Sequence, residues 1–330
     1  MEYKGRFDIF DFSRIKTYPI AERPNKFKAT DMIRLDQVLA APLMFDSPEL
    51  RAVAQAVLDA RAHAKPVIWM MGAHPVKLGL TPILIDLVER GLLTLVACNC
   101  AATIHDFELA LIAETSENVP NALPAGKFGM AYETGKYMND ALAHGDSLSL
   151  GFGESLARMI LGEEFPYRVD CPHKQLSFIA RTYQKGLPVT VHATMGTDII
   201  DQHPNFDGRA KGGTSARDFG IYCAEVRKMT EGGVVLNVGS AVTGPEVLLK
   251  TVSMVSNVGS PCHGLITGDF DMRLADFDEA RDESKPTYYF RHIKSVVTRI
   301  PEAFGGQGYY VRGLFEQTLP ALYQLLLRHM

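Results

Sequence analysis

The sequence predicts an α/β protein, a mostly parallel β-sheet with helices on both faces. Three observations carry this. Apolar runs of strand length recur at residues 66–71, 92–97, 188–192 and 234–238, and continuous apolar runs are what strands covered on both faces require. Segments with helical periodicity and recognisable caps lie between them, and strands alternating with helices imply parallel crossovers. The strand runs end in Gly, Ala, Ser and Thr, residues that let a ligand approach the backbone beyond the carboxyl ends of an open sheet.

The elements follow in order. Residues 1–45 are of mixed polarity, broken by Pro19, Pro24 and Pro42. They read as an N-terminal extension packed on the main body or on another subunit. Residues 46–330 read as a single α/β nucleotide-binding domain. Ser47 and Pro48 have the types of an N-cap and a first helical residue, opening a helix to about residue 64. Residues 66–71 form a strand and residues 72–79 a loop. Thr81 and Pro82 open the next helix, and Gly91 ends it. Residues 92–97 are a strand, Asn99-Cys100-Ala101-Ala102-Thr103 a small-residue break, and residues 103–114 a helix. Residues 115–187 are mainly helical with glycine breaks. A strand at 188–192, a helix at 214–229 capped by Thr214 or Ser215, a strand at 234–238 and a helix at 244–255 follow. Residues 264–267, 288–290, 295–299 and 309–312 read as short or edge strands, and residues 316–328 as the closing helix.

Composition narrows the function. Hydrophobic residues at 46% and charged residues at 22% match a soluble enzyme. A net charge of -4 disfavours nucleic acid as a partner, because phosphate backbones call for a basic surface. The sequence has no apolar run of the ~18 residues a membrane helix needs. With no secretory leader pattern, a cytoplasmic location is expected. The five cysteines are scattered and lack zinc-ribbon spacing, so reduced thiols are expected.

Candidate ligand residues lie after the strands. They are Gly72, Ala73 and His74, then Asn99, Ala101, Ala102 and Thr103 with Asp106 just inside the helix, then Gly196, Thr197 and Asp198, then Gly239, Ser240 and Ala241, then Gly268 and Asp269. The junctions at residues 92–111 and 232–250 each run from a strand through small residues into a helix, which presents backbone N–H groups to a phosphate or carboxylate. Neither contains the G-x-G-x-x-G pattern of an ordinary dinucleotide dehydrogenase. Further on, Lys285 and Lys294 lie among Glu283, Tyr288, Tyr289, Phe290, Arg291 and His292. A lysine partly buried by aromatic rings has a lowered pKa and forms an imine with a carbonyl. His74, His192, His203, Asp198 and Asp207 have side chains that could assemble a metal site, although their spacing matches no established metal motif.

Four stretches resemble deoxyhypusine synthases: residues 96–106 (VACNCAATIHD), 188–198 (PVTVHATMGTD), 232–246 and 307–322 (QGYYVRGLFEQTLPAL). The likeness is one of order and pattern, extending across residues 50–330. It implies a parallel α/β fold that binds NAD beyond the strand ends, in a tetramer whose active sites lie between subunits. The family oxidises an amine with NAD and carries the aminobutyl group as a lysine imine. Two segments depart from it. Gly239-Ser-Ala-Val-Thr-Gly-Pro-Glu246 stands where the family has Gly-Gly-Gly-x-Pro-Lys-His, and Tyr289-Phe-Arg-His-Ile-Lys294 replaces its tryptophan-glycine-lysine segment.

The resemblance implies NAD across residues 72–74, 99–103, Asp198 and residues 239–241. Lys294 is the expected nucleophile, with Lys285 second, and His292 or His203 the proton carrier. Asp198 and Asp207 would anchor substrate or ribose, and Glu283 and Tyr289 would contact substrate. The expected protein is an NAD-dependent enzyme acting on an amine or other small molecule. It is expected to be a homo-oligomer, dimer or tetramer, with no resident metal and no nucleic-acid or membrane partner. The alternatives are a metal-dependent hydrolase using His203, Asp207 and His192, and a non-catalytic nucleotide-binding protein on the same fold.

Overall fold

The computed structural model describes residues 3–163 and 165–328. Residues 1 and 2 of the expected extension, and residues 164, 329 and 330 of the expected domain, lie outside the described residues. The strands are β1 (Asn25–Lys28), β2 (Val67–Met71), β3 (Leu95–Asn99), β4 (Glu114–Glu117), β5 (Val189–His192), β6 (Gly233–Val238), β7 (Leu265–Asp271) and β8 (Gln307–Arg312). Six of them form one sheet in the order β5-β3-β2-β6-β7-β8, and every neighbouring pair is parallel. Counted in chain order within that sheet, the arrangement is 3-2-1-4-5-6, and the order reverses between β2 and β6.

Both faces of the sheet are covered. Along β2, Val67, Trp69 and Met71 join one apolar cluster with the helices Pro48–Ala62, Thr81–Glu89 and Phe315–Arg328. Ile68 and Met70 point the other way, to Tyr222, Val226, Leu248 and Val252 of the helices Gly208–Val226 and Thr243–Asn257. The period of two along the strand therefore feeds two cores. β1 and β4 form a separate antiparallel pair with Phe27 opposite Thr115, which lays the N-terminal residues against the main body.

Local chemistry accounts for the element starts. Ser47 Oγ accepts from Leu50 N at 3.1 Å, the expected cap. Three expectations are corrected. The helix placed at 214–229 is Gly208–Val226, because Asp207 Oδ1 caps it from Arg209 N and Ala210 N at 2.9 and 3.3 Å. Gly212 and Gly213 lie inside it. β7 runs on to Asp271, so Gly268 and Asp269 are within the strand rather than after it.

The third correction concerns residues 288–299, read as edge strands. They form a 3₁₀ turn, Pro286–Tyr289, and a π-helix, His292–Arg299. β-branched Val296, Val297 and Thr298 favour a strand locally, but Ile293, Val296, Val297 and Ile300 recur at helical spacing and all four are buried. Thr267 Oγ1 of β7 donates to Val296 O, and Gly308 of β8 has no room for a Cβ, which would sit 1.9 Å from Val297 O. The helix is thus set tightly onto two strands.

Candidate functional site at the carboxyl edge of the sheet

The reversal between β2 and β6 brings two of the ligand segments together. Gly72 N donates to Val238 O at 3.1 Å, and a Cβ on Gly72 would lie 2.5 Å from Gly239 O. Gly239 itself has φ +69. Only glycine fits either place, so Gly72, Ala73 and His74 meet Gly239, Ser240 and Ala241 at the edge. Ser240 Oγ accepts from Gly244 N at 2.9 Å and so opens the helix Thr243–Asn257. One strand over, Asn99 Oδ1 accepts from Ala102 N at 3.1 Å. The helix Cys100–Ile112 therefore starts directly at the end of β3, with no loop between. Ala102 and Thr103 are buried inside it and Ala101 is half-buried. The N–H groups of Cys100 and Ala101 have no partner within their own helix.

On the β5 side, Lys211 is fully buried and donates to Thr194 O, Asp198 Oδ2 and Asp201 Oδ1 at 3.0, 2.8 and 2.6 Å. Burial opposes its charge, but Cys100, Asp198 and Asp201 hold its pKa above that of ordinary lysine. Burial pushes the Cys100 thiol well up, and Asp198 adds to the effect. Gly196 and Thr197 are exposed beside this group.

On the β7 side, Asn237 Nδ2 donates to Ser240 O at 3.0 Å and to Asp269 Oδ1 at 2.6 Å. Asp269 Oδ2 lies 2.7 Å from His292 Nδ1, with both side chains 1% exposed. Burial raises the Asp269 carboxyl. The arrangement places the His292 proton on Nδ1 if Asp269 is ionised. Its Nε2 is buried, 4.0 Å from Asp271 Oδ2, and among the described residues neither it nor Asn237 Oδ1 has a hydrogen-bond partner. Two residues on, Lys294 is 3% exposed and its Nζ sits 3.6 Å from the ring centroid of Tyr288. Burial and Arg291 push its pKa down, with Arg299 adding to this and Tyr288 and Glu246 opposing it.

The remaining candidates lie elsewhere. Asp106 accepts from Ser177 Oγ and from Phe178 N at 2.7 Å. It is fully buried, and both oxygens are engaged in holding the helix Phe178–Gln184. His203 Nε2 contacts Gly129 O at 2.8 Å inside the protein, which uses the nitrogen expected to carry a proton. Asp207 caps a helix, as above. Glu283, Lys285 and Tyr289 are exposed. His192 packs against Tyr222 at 5.2 Å between ring centroids. Among the described residues no three His, Cys, Asp or Glu side chains converge as metal ligands.

Three participants were not singled out from the sequence as site residues: Lys211, Asp201 and Asn237. Lys211 stands in Gly-Arg-Ala-Lys-Gly-Gly, which reads as solvated loop. Asn237 was legible in principle, as a polar residue inside an otherwise apolar strand run.

The strand order and the reversal at β2 and β6 define a doubly wound α/β protein. No family model and no curated protein matches the sequence. Solved structures do. ArgZ, an arginine dihydrolase from the ornithine–ammonia cycle in cyanobacteria, is 14% identical over 85% of this chain with a TM-score of 0.47. AgrE, solved in a ternary complex with ornithine and NAD+, is 13% identical over 85% of this chain with a TM-score of 0.49. The chain spans about a third of the length of each, 33% in both cases. An Entamoeba histolytica protein assigned as a deoxyhypusine synthase is 8% identical, over 95% of this chain and 97% of that one, with a TM-score of 0.47. At such identities the chemistry has to be read from the residues of this chain. No helix among the described residues is long and apolar enough to cross a membrane.

Proposed function

We propose that this protein is an NAD-dependent enzyme acting on a small amine-bearing molecule, with Lys294 as the group that captures the reacting carbon. The observation that carries the reading is Lys294 itself. Lys294 has no ion-paired carboxylate among the described residues, and burial beside two arginines outweighs the Tyr288 ring and Glu246, so its neutral fraction is larger than that of a solvated lysine, and a neutral amine is the nucleophile in imine formation.

The edge between β2 and β6 is the reversal point at which a doubly wound sheet holds a dinucleotide. Gly72 and Gly239 bring the two strand ends close together, with the Phe315 ring against Gly239, and Asn237 Oδ1 is buried with no hydrogen-bond partner among the described residues. Bound there, NAD would supply a hydride acceptor. The chain's own residues do the rest. Asp269 orients His292 so that Nε2 takes or returns a proton. The amine of Lys294 adds to an electrophilic carbonyl or imine carbon, and water or an amine leaves as the new C=N bond forms. We include in the proposal a homo-oligomer, as the resemblance implies.

Borohydride reduction in the presence of NAD and a polyamine tests this. The expected result is a stable adduct on Lys294, found by peptide mass mapping, and absorbance of reduced nicotinamide without borohydride. Absence of NAD binding by calorimetry would overturn the cofactor assignment, and labelling elsewhere than Lys294 would overturn the nucleophile.

A further inference from the structure

A cleft of about 300 Å³ opens between the helix Cys100–Ile112, β4 and the loop at Thr197 and Asp198. His105 lines it. Its Nδ1 lies 2.7 Å from Thr115 Oγ1, and the Thr115 hydroxyl donates to Glu108 Oε2 at 2.5 Å. Glu108 also accepts from Arg23 Nη1 and from Thr134 Oγ1, both at 2.8 Å. A hydroxyl has one proton and an ionised carboxylate none. With its proton given to Glu108, Thr115 can only accept from His105. The imidazole therefore carries its proton on Nδ1 and leaves Nε2 bare. Burial brings its pKa down to about 4, so the ring is neutral at pH 7.

A second bare acceptor lines the same cleft. Glu117 is 9% exposed, and its Oε1 accepts from Gly129 N at 2.9 Å. Its Oε2 is buried with no hydrogen-bond partner among the described residues. A buried acceptor left empty is costly. Lys26 and Lys77 supply positive charge on the same walls.

We propose that this cleft binds a small molecule with a hydrogen-bond-donating head, an ammonium or hydroxyls, seated between His105 Nε2 and Glu117 Oε2, and an anionic group directed to Lys26 and Lys77. The cleft does not include Lys294, but it shares Ala101, Thr197 and Asp198 with the segments expected to hold NAD. Arg23 belongs to the N-terminal extension, so residues 1–45 help to build it. Arg23 and Glu108 also line the cleft, and through Thr115 they position His105.

Long-range ¹⁵N–¹H correlation spectra of the full chain read the tautomer directly. The expected result is a bare Nε2 in the free protein, which shifts as an acceptor on titration with L-lysine or with ribose 5-phosphate. These two probes separate the ammonium source from the hydroxyl source. Glu117→Gln should weaken an ammonium ligand about tenfold and a hydroxyl ligand much less. Thr115→Val should release the tautomer, and Thr115→Ser should keep it, with circular dichroism reporting the fold of each. A proton found on Nε2, or no shift with either probe at millimolar concentration, overturns the proposal.

Discussion

Two lysines are buried in this protein, and they are held in opposite ways. Lys211, on the β5 side, is enclosed by Asp198, Asp201 and a backbone carbonyl. Lys294, on the β7 side, has an aromatic ring against its Nζ and two arginines near it. The first arrangement fixes the charge and ties a loop to a helix. The second gives the charge less support, from the Tyr288 ring and Glu246, than burial and the two arginines take away. Burial alone therefore does not mark a reactive lysine, and the partners decide which form of it persists.

The largest effect should come from breaking the satisfied group. Lys211→Met leaves two carboxylates buried without their cation and should cost about 3–5 kcal/mol, measured by urea unfolding. An unchanged midpoint would show that water already compensates Asp198 and Asp201.

On the other side the effects should fall on rate rather than stability. Asp269→Asn removes the acceptor that orients His292 and should lower turnover about 100-fold, with a changed pH–rate profile. A purely structural Asp269 would change unfolding and leave that profile alone.

Lys294→Met replaces a poorly supported charge by an apolar chain of similar length. It should change unfolding free energy by less than about 1.5 kcal/mol, while abolishing borohydride trapping. A large loss of stability would erase the contrast between the two lysines.

The smallest effect is a pH slope. Burial raises the Asp106 carboxyl to about 7 from 3.8. The folded state then binds the proton more tightly than the unfolded one, so this contribution is full below pH 3.8 and lost as pH rises through about 7. Asparagine mimics the protonated carboxyl, so Asp106→Asn should gain on wild type between about pH 5 and about pH 8 in urea unfolding.

Much of the frame was readable along the chain. The Ser47 cap and the strand at residues 67–71 are local signals, because a cap and an apolar run depend on near neighbours; the approach of Gly72 to Gly239 joins distant parts of the chain. The site was readable only in part. Asp269 and His292 stand 23 residues apart, and Arg23 and Glu108 stand 85 apart. No spacing rule joins such pairs. Asp106 and Asp207 had the right types for ligand contacts, yet helix starts claim their oxygens, a distant one for Asp106 and the adjoining one for Asp207.

The sequence by itself determined the alternation of strands and helices, the small-residue ends of the strands and the presence of lysines among aromatics. These follow from periodicity and backbone freedom, which are local properties. The tertiary structure alone decided that residues 292–299 are helical, that Lys211 has carboxylate partners while Lys294 has none among the described residues, and that His105 lines a cleft beside Thr115. Each of those depends on which distant groups share a buried space, because charge and proton position are set by the full surroundings of an atom.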